Sequence, residues 1–271
     1  MSDNYLQANR DLWDQWTDQH AESPFYDLPG FKAGKDRLRS IELDEIGGLV
    51  SGRSLLHLQC HFGMDTLAWA RRGAVVAGID FSPKSIELAR SLAEKLNIRA
   101  EFVCSDIEHL PDVLSGQFDI VFTSYGILHW LRDLKRWGQV IAHFLKPGGI
   151  FYIVEDHPFM RVFSSSPNDA ELHAVNPYFF DQNPDDLESG DYATSGDQQR
   201  FQYYLWNHSL GEVLGALISA GLQIEFLHEF PYAARAKFPM MERGEDGWWR
   251  LTTEQHRRIP LLFSLQARKP G

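Results

Sequence analysis

The sequence predicts a doubly wound α/β domain, with helices on both faces of a mostly parallel sheet. Three observations carry that expectation. From Ser54 to about Glu155 short apolar runs alternate with amphipathic stretches of helix length. The turns between them hold helix stops and caps at the right offsets. The apolar runs are continuous rather than alternating, as strands buried on both faces require.

Taken in order, "SLLHLQC" reads as the first strand, and "MDTLAWARR" as a short helix closed by Gly73. "AVVAGID" is the second strand. The helix "SPKSIELARSLAEKL" follows, with Ser82 as a plausible N-cap and Pro83 at its first position. Its Ile86, Ala89, Ala93 and Leu96 share one face. "AEFVCSD" and "FDIVFTSY" are the third and fourth strands. "LRDLKRWGQVIAHFL" is a helix ended by "KPGG", and "IFYIVED" the fifth strand. A late helix, "SLGEVLGALISAGL", precedes two last strands, "QIEFLHEF" and "LLFSLQARK", which brings the count to seven. In such a sheet a ligand sits at the carboxyl ends of the strands.

The flanking regions differ. Residues 1–50 read as helical with breaks: Leu12, Trp13 and Trp16 have helical spacing, "ESPFYDLPGF" interrupts, and "DRLRSIELDEIGGL" resumes. Residues 157–205 are rich in Pro, Asp, Asn, Ser and Gly, with Phe163, Tyr178, Phe179, Phe180 and Tyr192 interspersed. A stretch this long is functional or disordered, and the aromatics favour an ordered cover. The expected organisation is an N-terminal helical lid at 1–50, a core at 51–156 and 206–271, and an insertion at 157–205 over a substrate pocket.

A net charge of −11 disfavours nucleic acid, whose phosphates want clustered Lys and Arg. Cys60 and Cys104 both lie in apolar stretches and read as buried reduced thiols, with no metal site expected. The N-terminus lacks a basic-then-apolar signal and no stretch approaches a membrane span, so a cytoplasmic protein is expected.

The chemistry concentrates in "LLHLQCHFGMDT", a strand running into a loop and a helix. A dinucleotide loop needs glycines where the backbone nears a pyrophosphate, but here Gln59 and His61 fill those positions and only Gly63 remains. A cofactor without phosphates needs less. Asp80 ends the second strand, 17 residues beyond Gly63, where an ionised carboxylate can accept both hydroxyls of a ribose. Its other reading is a helix cap, a role Ser82 already fits. Asp106 ends the third strand and could accept from an exocyclic amine, or cap a turn. His57, inside an apolar strand, reads as a core histidine.

These segments, in this order, resemble the class I S-adenosylmethionine-dependent methyltransferases of the group acting on small molecules. "LLHLQCHFG" lies over that family's first motif, "GIDFS" its second, "CSDIEHLP" its third, "FDIVFTSYGILHW" its fourth and "LKPGG" the turn before its fifth strand. An uncharacterised bacterial subgroup with an "HLQCHFG" motif, an early "FY" and a "WNHSLGE" helix is similar over nearly the whole chain. The resemblance implies a Rossmann-like methyltransferase fold with a reversed C-terminal hairpin, S-adenosyl-L-methionine as cofactor and S-adenosyl-L-homocysteine as product. It implies cofactor contacts from Gln59, Cys60, Gly63, Asp80, Phe81, Ser82, Asp106, Ile107, Ser124 and Tyr125. His57 stands where that family usually has an acidic residue, and Gln59 and His61 where it has glycines.

Methyl transfer is an in-line displacement that mainly needs alignment and exclusion of water. A hydroxyl acceptor also needs a base, and His129 and His157, just past the fourth and fifth strands, are the candidates. Their other readings are a helix cap and a turn support. Tyr26, Trp13 and Trp130 could wall an apolar or cationic acceptor. The expected function is methyl transfer to an unidentified small molecule. A catalytically silent binding module and an NAD-dependent oxidoreductase are the alternatives.

Overall fold

The computed structural model describes residues 2–189, 193, 201–251 and 258–271. The chain opens with helix α1 (Ser2–Glu22), followed by the short α2 (Leu28–Lys32) and by α3 (Ser40–Ile46). Strand β1 (Ser54–Leu58) begins the sheet. It is followed by α4 (Met64–Arg71), β2 (Val75–Asp80), α5 (Pro83–Lys95) and β3 (Ala100–Cys104). A single turn, α6 (Leu110–Val113), leads to β4 (Phe118–Ser124), α7 (Leu134–Phe144) and β5 (Leu145–Asp156).

The hairpin β6 (Asp185–Ser189) and β7 (Phe201–Leu205) comes next. It precedes α8 (Leu210–Ser219), β8 (Gln223–Phe230), a small hairpin β9 (Met241–Arg243) and β10 (Trp249–Leu251), and finally β11 (Leu262–Arg268). The main sheet has seven strands in the order β3-β2-β1-β4-β5-β11-β8. All pairs are parallel except those of β11, which runs antiparallel to both β5 and β8. The order reverses direction at β1 and β4, so a crevice opens between their carboxyl ends.

The apolar sequence runs account for this sheet. Leu55, Leu56 and Leu58 of β1 are fully buried, and so are Ile120, Val121 and Phe122 of β4, since helices cover both faces. One core layer gathers Trp69, Phe102, Phe122 and Tyr152 under α4 and α5. The other gathers Trp137, Phe144 and Phe151 under α7 and α8. Ser82 caps α5 by accepting from Ser85 N at 3.1 Å, and Asp133 caps α7 by accepting from Arg136 N at 3.0 Å.

Three expectations need correction. Cys104 is exposed rather than buried, because β3 is the edge strand and leaves that side chain uncovered. Within "ESPFYDLPGF" the chain forms α2, since Asp27 accepts from Gly30 N and Pro29 suits a first turn. Segment 157–205 contributes a hairpin that braces α1: Asn9 both donates to Tyr204 O (2.8 Å) and accepts from Tyr204 N (2.9 Å). Tyr192 lies outside the described residues. No described helix is long and apolar enough to cross a membrane.

Candidate active site

A cavity of about 340 Å³ lies at the carboxyl ends of β1–β5, under a cover made by α1 and residues 25–39. Among the described residues, segment 157–205 contributes nothing to its wall, and the cover comes from the N-terminal segment expected as a lid. Because strands stack about 4.8 Å apart, the sheet order sets the order of groups along the rim. Asp106 follows β3, Asp80 ends β2, Gln59 and His61 follow β1, Ser124 ends β4 with Tyr125 just after it, and Asp156 ends β5.

The loop after β1 answers its missing glycines with strain. Gln59 (φ 56°), His61 (φ 51°) and Gly63 (φ 77°) all take the left-handed conformation, at alternate positions. That backbone costs an ordinary residue about 1–2 kcal/mol. Tyr125 (φ 47°), on the facing turn, is strained in the same way. Such residues persist where their surroundings over-determine them, which is common at functional sites. Only at 63 is glycine itself required: a Cβ there would sit 2.6 Å from the Phe102 ring.

Asp80 organises the loop. One carboxylate oxygen accepts from His61 N at 2.8 Å, the other from Ser82 N at 2.9 Å, and the side chain is buried on the cavity wall. Burial pushes its carboxyl up to about 6, against the pull of those backbone donors. The backbone of Phe81 is a third such donor, which leaves the carboxylate only part of its acceptor capacity. Ser82, buried, caps α5 and donates to Asp14 of α1, so it closes the lid and does not line the cavity. Asp106 lines it and accepts from His109 N at 2.9 Å, with His109 Nδ1 also within 2.9 Å. Cys60, Phe81 and Ile107 also line the wall.

Toward β4 the wall changes character. Gln59 Oε1 is buried with no hydrogen-bond partner, while its Nε2 reaches Ile127 O at 3.4 Å. Ser124 Oγ lies 3.4 Å from Asp65 Oδ2, and Asp65 pairs with Arg37 at 3.4 Å. Arg39 donates to Ala234 O at 2.9 Å and lies over the rings of Tyr125 and Trp248. The Tyr125 hydroxyl donates to Glu42 Oε2 at 2.8 Å, and burial raises that carboxyl to about 7. Sequence reading missed Arg37, Arg39 and Asp65. The arginines sit in a stretch that read as an ordinary helix, and only their spatial convergence marks them.

The histidines separate. His57 is buried as expected but also touches the cavity wall: its Nδ1 meets Thr66 Oγ1 at 2.8 Å, its ring packs on Phe122, and burial lowers its pKa to about 3. His157 does not line the cavity. Its Nδ1 accepts from Phe159 N at 3.1 Å and its Nε2 stands 2.9 Å from Glu229, so it supports the turn before Pro158 and is corrected as a catalytic candidate. His129 does not line the cavity either; it precedes the lining residue Trp130, and its Cε1 faces Gly126. Burial, then the nearby cations Arg161, Lys237 and Arg235, hold its pKa well below the usual value, so it is neutral at pH 7. Glu155 beneath it accepts from the backbone of Gly126 (2.5 Å), Ile127 (2.7 Å) and Asp156 (2.6 Å).

Trp13, Tyr26 and Trp130 do line the cavity. They do not form an open cage for a cation. Arg37 already lies over Tyr26 (5.4 Å), His20 stacks on Tyr26 (4.8 Å), and Trp13 packs edge-on against Trp130 (5.4 Å). No cluster of three metal-binding side chains occurs among the described residues.

Comparison with known proteins is consistent across three lines. Residues 55–149 match the model of a methyltransferase domain. The ubiquinone biosynthesis O-methyltransferase of Bordetella avium is 33% identical over 112 residues, 41% of this chain and 46% of that protein. An uncharacterized methyltransferase of Synechocystis sp. is 34% identical over 127 residues, 46% of this chain and 56% of that one. The chain thus spans about half the length of these curated relatives. Among solved structures, an S-adenosylmethionine-dependent methyltransferase of Mesorhizobium loti superposes with a TM-score of 0.55 at 20% identity, covering 88% of this chain and all of that one. A glycopeptide N-methyltransferase complexed with S-adenosylmethionine gives 0.53 at 16% identity, over 85% of this chain and 92% of its own.

Proposed function

We propose that this chain, a class I S-adenosylmethionine-dependent methyltransferase by its domain and fold, transfers the methyl group of that cofactor to a small molecule. The observation that carries the reading is Asp80, a buried carboxylate that ends β2 on the cavity wall and keeps part of its acceptor capacity. The residues present fit the cofactor. The unpartnered Gln59 Oε1 suits an ammonium donor, Arg39 a carboxylate, and Asp80 a pair of vicinal hydroxyls.

When bound, S-adenosylmethionine supplies a methyl group already activated on a sulfonium. Asp80 would hold the ribose, Asp106 with Ile107 and Phe81 the adenine, and Gln59, Asp65, Ser124, Tyr125 and Arg39 the methionine end. Gly63 and Cys60 bring the backbone close. Helix α1, through Trp13, and Tyr26 just beyond it exclude water from the site, which strengthens each polar contact inside. His129, neutral and next in sequence to the lining residue Trp130, is the candidate base for a hydroxyl acceptor, a role that requires it to reach the cavity it does not line here. Trp130 borders the acceptor. The small-molecule class is supported by the size of the cavity, about 340 Å³, and by a net charge of −11, unsuited to nucleic acid. A cytoplasmic location is part of the same reading.

Thermal unfolding with S-adenosylmethionine, S-adenosylhomocysteine and NAD tests it. A ligand at a hundred times its Kd adds about 2.7 kcal/mol of stability. Stabilisation by the first two, and not by NAD, is expected. Stabilisation by NAD alone would overturn it, and cofactor binding without turnover of any acceptor would favour a silent binding module.

A further inference from the structure

Among the described residues six carboxylates line the cavity, and five are accounted for by position or by partners. Asp80 and Asp106 end and follow β2 and β3, on the side proposed for adenosine. Asp65 is engaged on both oxygens, by Arg37 and by Ser124, each at 3.4 Å. Glu108 and Asp133 are exposed to solvent, and Asp133 also caps α7.

The sixth, Asp156, differs from these. It ends β5, and its side chain is only 10% exposed. Its backbone is fixed twice: the N–H donates to Glu155 at 2.6 Å, and the residue pairs with Leu262 of β11. One carboxylate oxygen, Oδ2, accepts from the ammonium of the buried Lys237 and stands 4.0 Å from Arg235. Burial and then Arg235 lower the Lys237 pKa to about 8, so at neutral pH it remains an ammonium. The other oxygen, Oδ1, has no hydrogen-bond or ion partner among the described residues. Asp156 is therefore an anion locked in place by one oxygen, with the second left to serve the cavity it lines.

Its place on the rim gives that oxygen a use. Ser124 and Tyr125, proposed for the methionine end of the cofactor, stand at the end of β4. Asp156 stands one strand further from Asp80, about 4.8 Å along the sheet. A methyl acceptor has to be held beyond the methionine end and aligned with it.

We infer that Asp156 selects the methyl acceptor, its Oδ1 taking a hydrogen bond from an uncharged O–H or N–H group of that molecule. An ionised carboxylate accepts and does not donate, so this oxygen recognises donors alone. A carboxylate or phosphate placed against it would face lone pairs of the same sign. An ammonium gains little, because Lys237 already balances the charge and Arg235 stands close by. Lys237 acts as a positioning residue, holding the carboxylate ionised and in one orientation. The inference rests on the methyltransferase reading, and its test separates the two.

Full-length protein saturated with S-adenosylhomocysteine is screened by ligand-observed NMR against small alcohols, phenols and amides. Each is paired with its methylated counterpart, which lacks the donor, and with the acid and amine of the same skeleton; hits are titrated. The uncharged donors are expected to bind about ten-fold more tightly than their methylated counterparts, as a hydrogen bond to a charged group implies. Asp156→Asn keeps the shape and removes the charge, so it should cut the preference to about three-fold or less. Asp156→Leu combined with Lys237→Met removes the buried pair together, leaves no stranded charge, and should abolish the preference. S-adenosylhomocysteine affinity is expected to stay within about two-fold in both variants, which a general loss of structure would not allow. No donor preference in the native protein, an absence of any hit included, would overturn the inference. So would tighter binding of the acids or amines, or a preference undiminished in either variant. Failure of S-adenosylhomocysteine to bind the native protein would instead overturn the methyltransferase reading.

Discussion

His20 of α1 and His61 of the loop after β1 meet at 2.8 Å, Nδ1 to Nε2. The contact continues a directed chain. Thr17 Oγ1 donates to Trp13 O, so Ser85 Oγ must donate to Thr17, and His61 Nδ1 to Ser85. That leaves His61 Nε2 as an acceptor and His20 Nδ1 as its donor, an arrangement that exists only while His61 is neutral. Burial, then the charges of His20 and Arg37, hold its pKa well below the usual value.

Acid should therefore loosen the contact between α1 and the loop after β1. His61 has a lowered folded pKa, so the stability of that contact is fully present above about 6.5 and is lost as pH falls. His57, His129, His157 and His208 are lowered as well, while Glu42, Glu155, Asp80, Asp65 and His109 are raised and act in the opposite direction, so global stability should change less than this local contact. Hydrogen exchange of the α1 amides at about pH 7.5 and 5.5, corrected for the intrinsic rates, checks it. Equal protection at both would contradict it.

Asp80→Ala should weaken S-adenosylhomocysteine binding by roughly 1–3 kcal/mol, the cost of a lost buried charge-assisted bond. Calorimetric titration measures it. Unchanged affinity would remove Asp80 from the site.

Arg39→Ala should weaken S-adenosylhomocysteine but leave 5′-methylthioadenosine unaffected, since the latter lacks the amino-acid end. A loss of about 1.5–3 kcal/mol is expected for a hydrogen bond to a charged group. Equal losses for both ligands would mean that Arg39 acts through the fold alone.

The two candidate histidines should separate by assay. His157→Ala removes a buried cap and the approach to Glu229, so it should lower stability by about 1–2 kcal/mol without changing cofactor affinity. His129→Asn should leave both nearly intact and lower turnover of a hydroxyl acceptor about 10²-fold or more.

Gly63→Ala brings a methyl group within 2.6 Å of the Phe102 ring at a left-handed φ. A loss of about 1–3 kcal/mol is expected from overpacking alone, read from the urea midpoint.

The sheet was legible because apolar runs buried on both faces have few alternatives. The strand expected from "QIEFLHEF" is β8 residue for residue. The hairpins β6–β7 and β9–β10 were not, since their residues are polar or aromatic without a clean period of two. Asp80 and Asp106 were legible because strand ends locate the rim. Arg39, Arg235 and Asp65 were not, because sequence spacing carries no information about which distant segments meet over a cavity. The role of His157 turned on the 3-10 turn that follows it, where Pro158 leaves the imidazole the nearest acceptor for Phe159 N.

The left-handed positions at 59 and 61 also bear on engineering. Glycine at either would relax the chain, and variants selected for heat tolerance alone should drift toward it. Such variants would lose the amide at 59 or the imidazole at 61 that reach the ligand space and the covering helix. Here ruggedness and recognition pull on the same two residues in opposite directions.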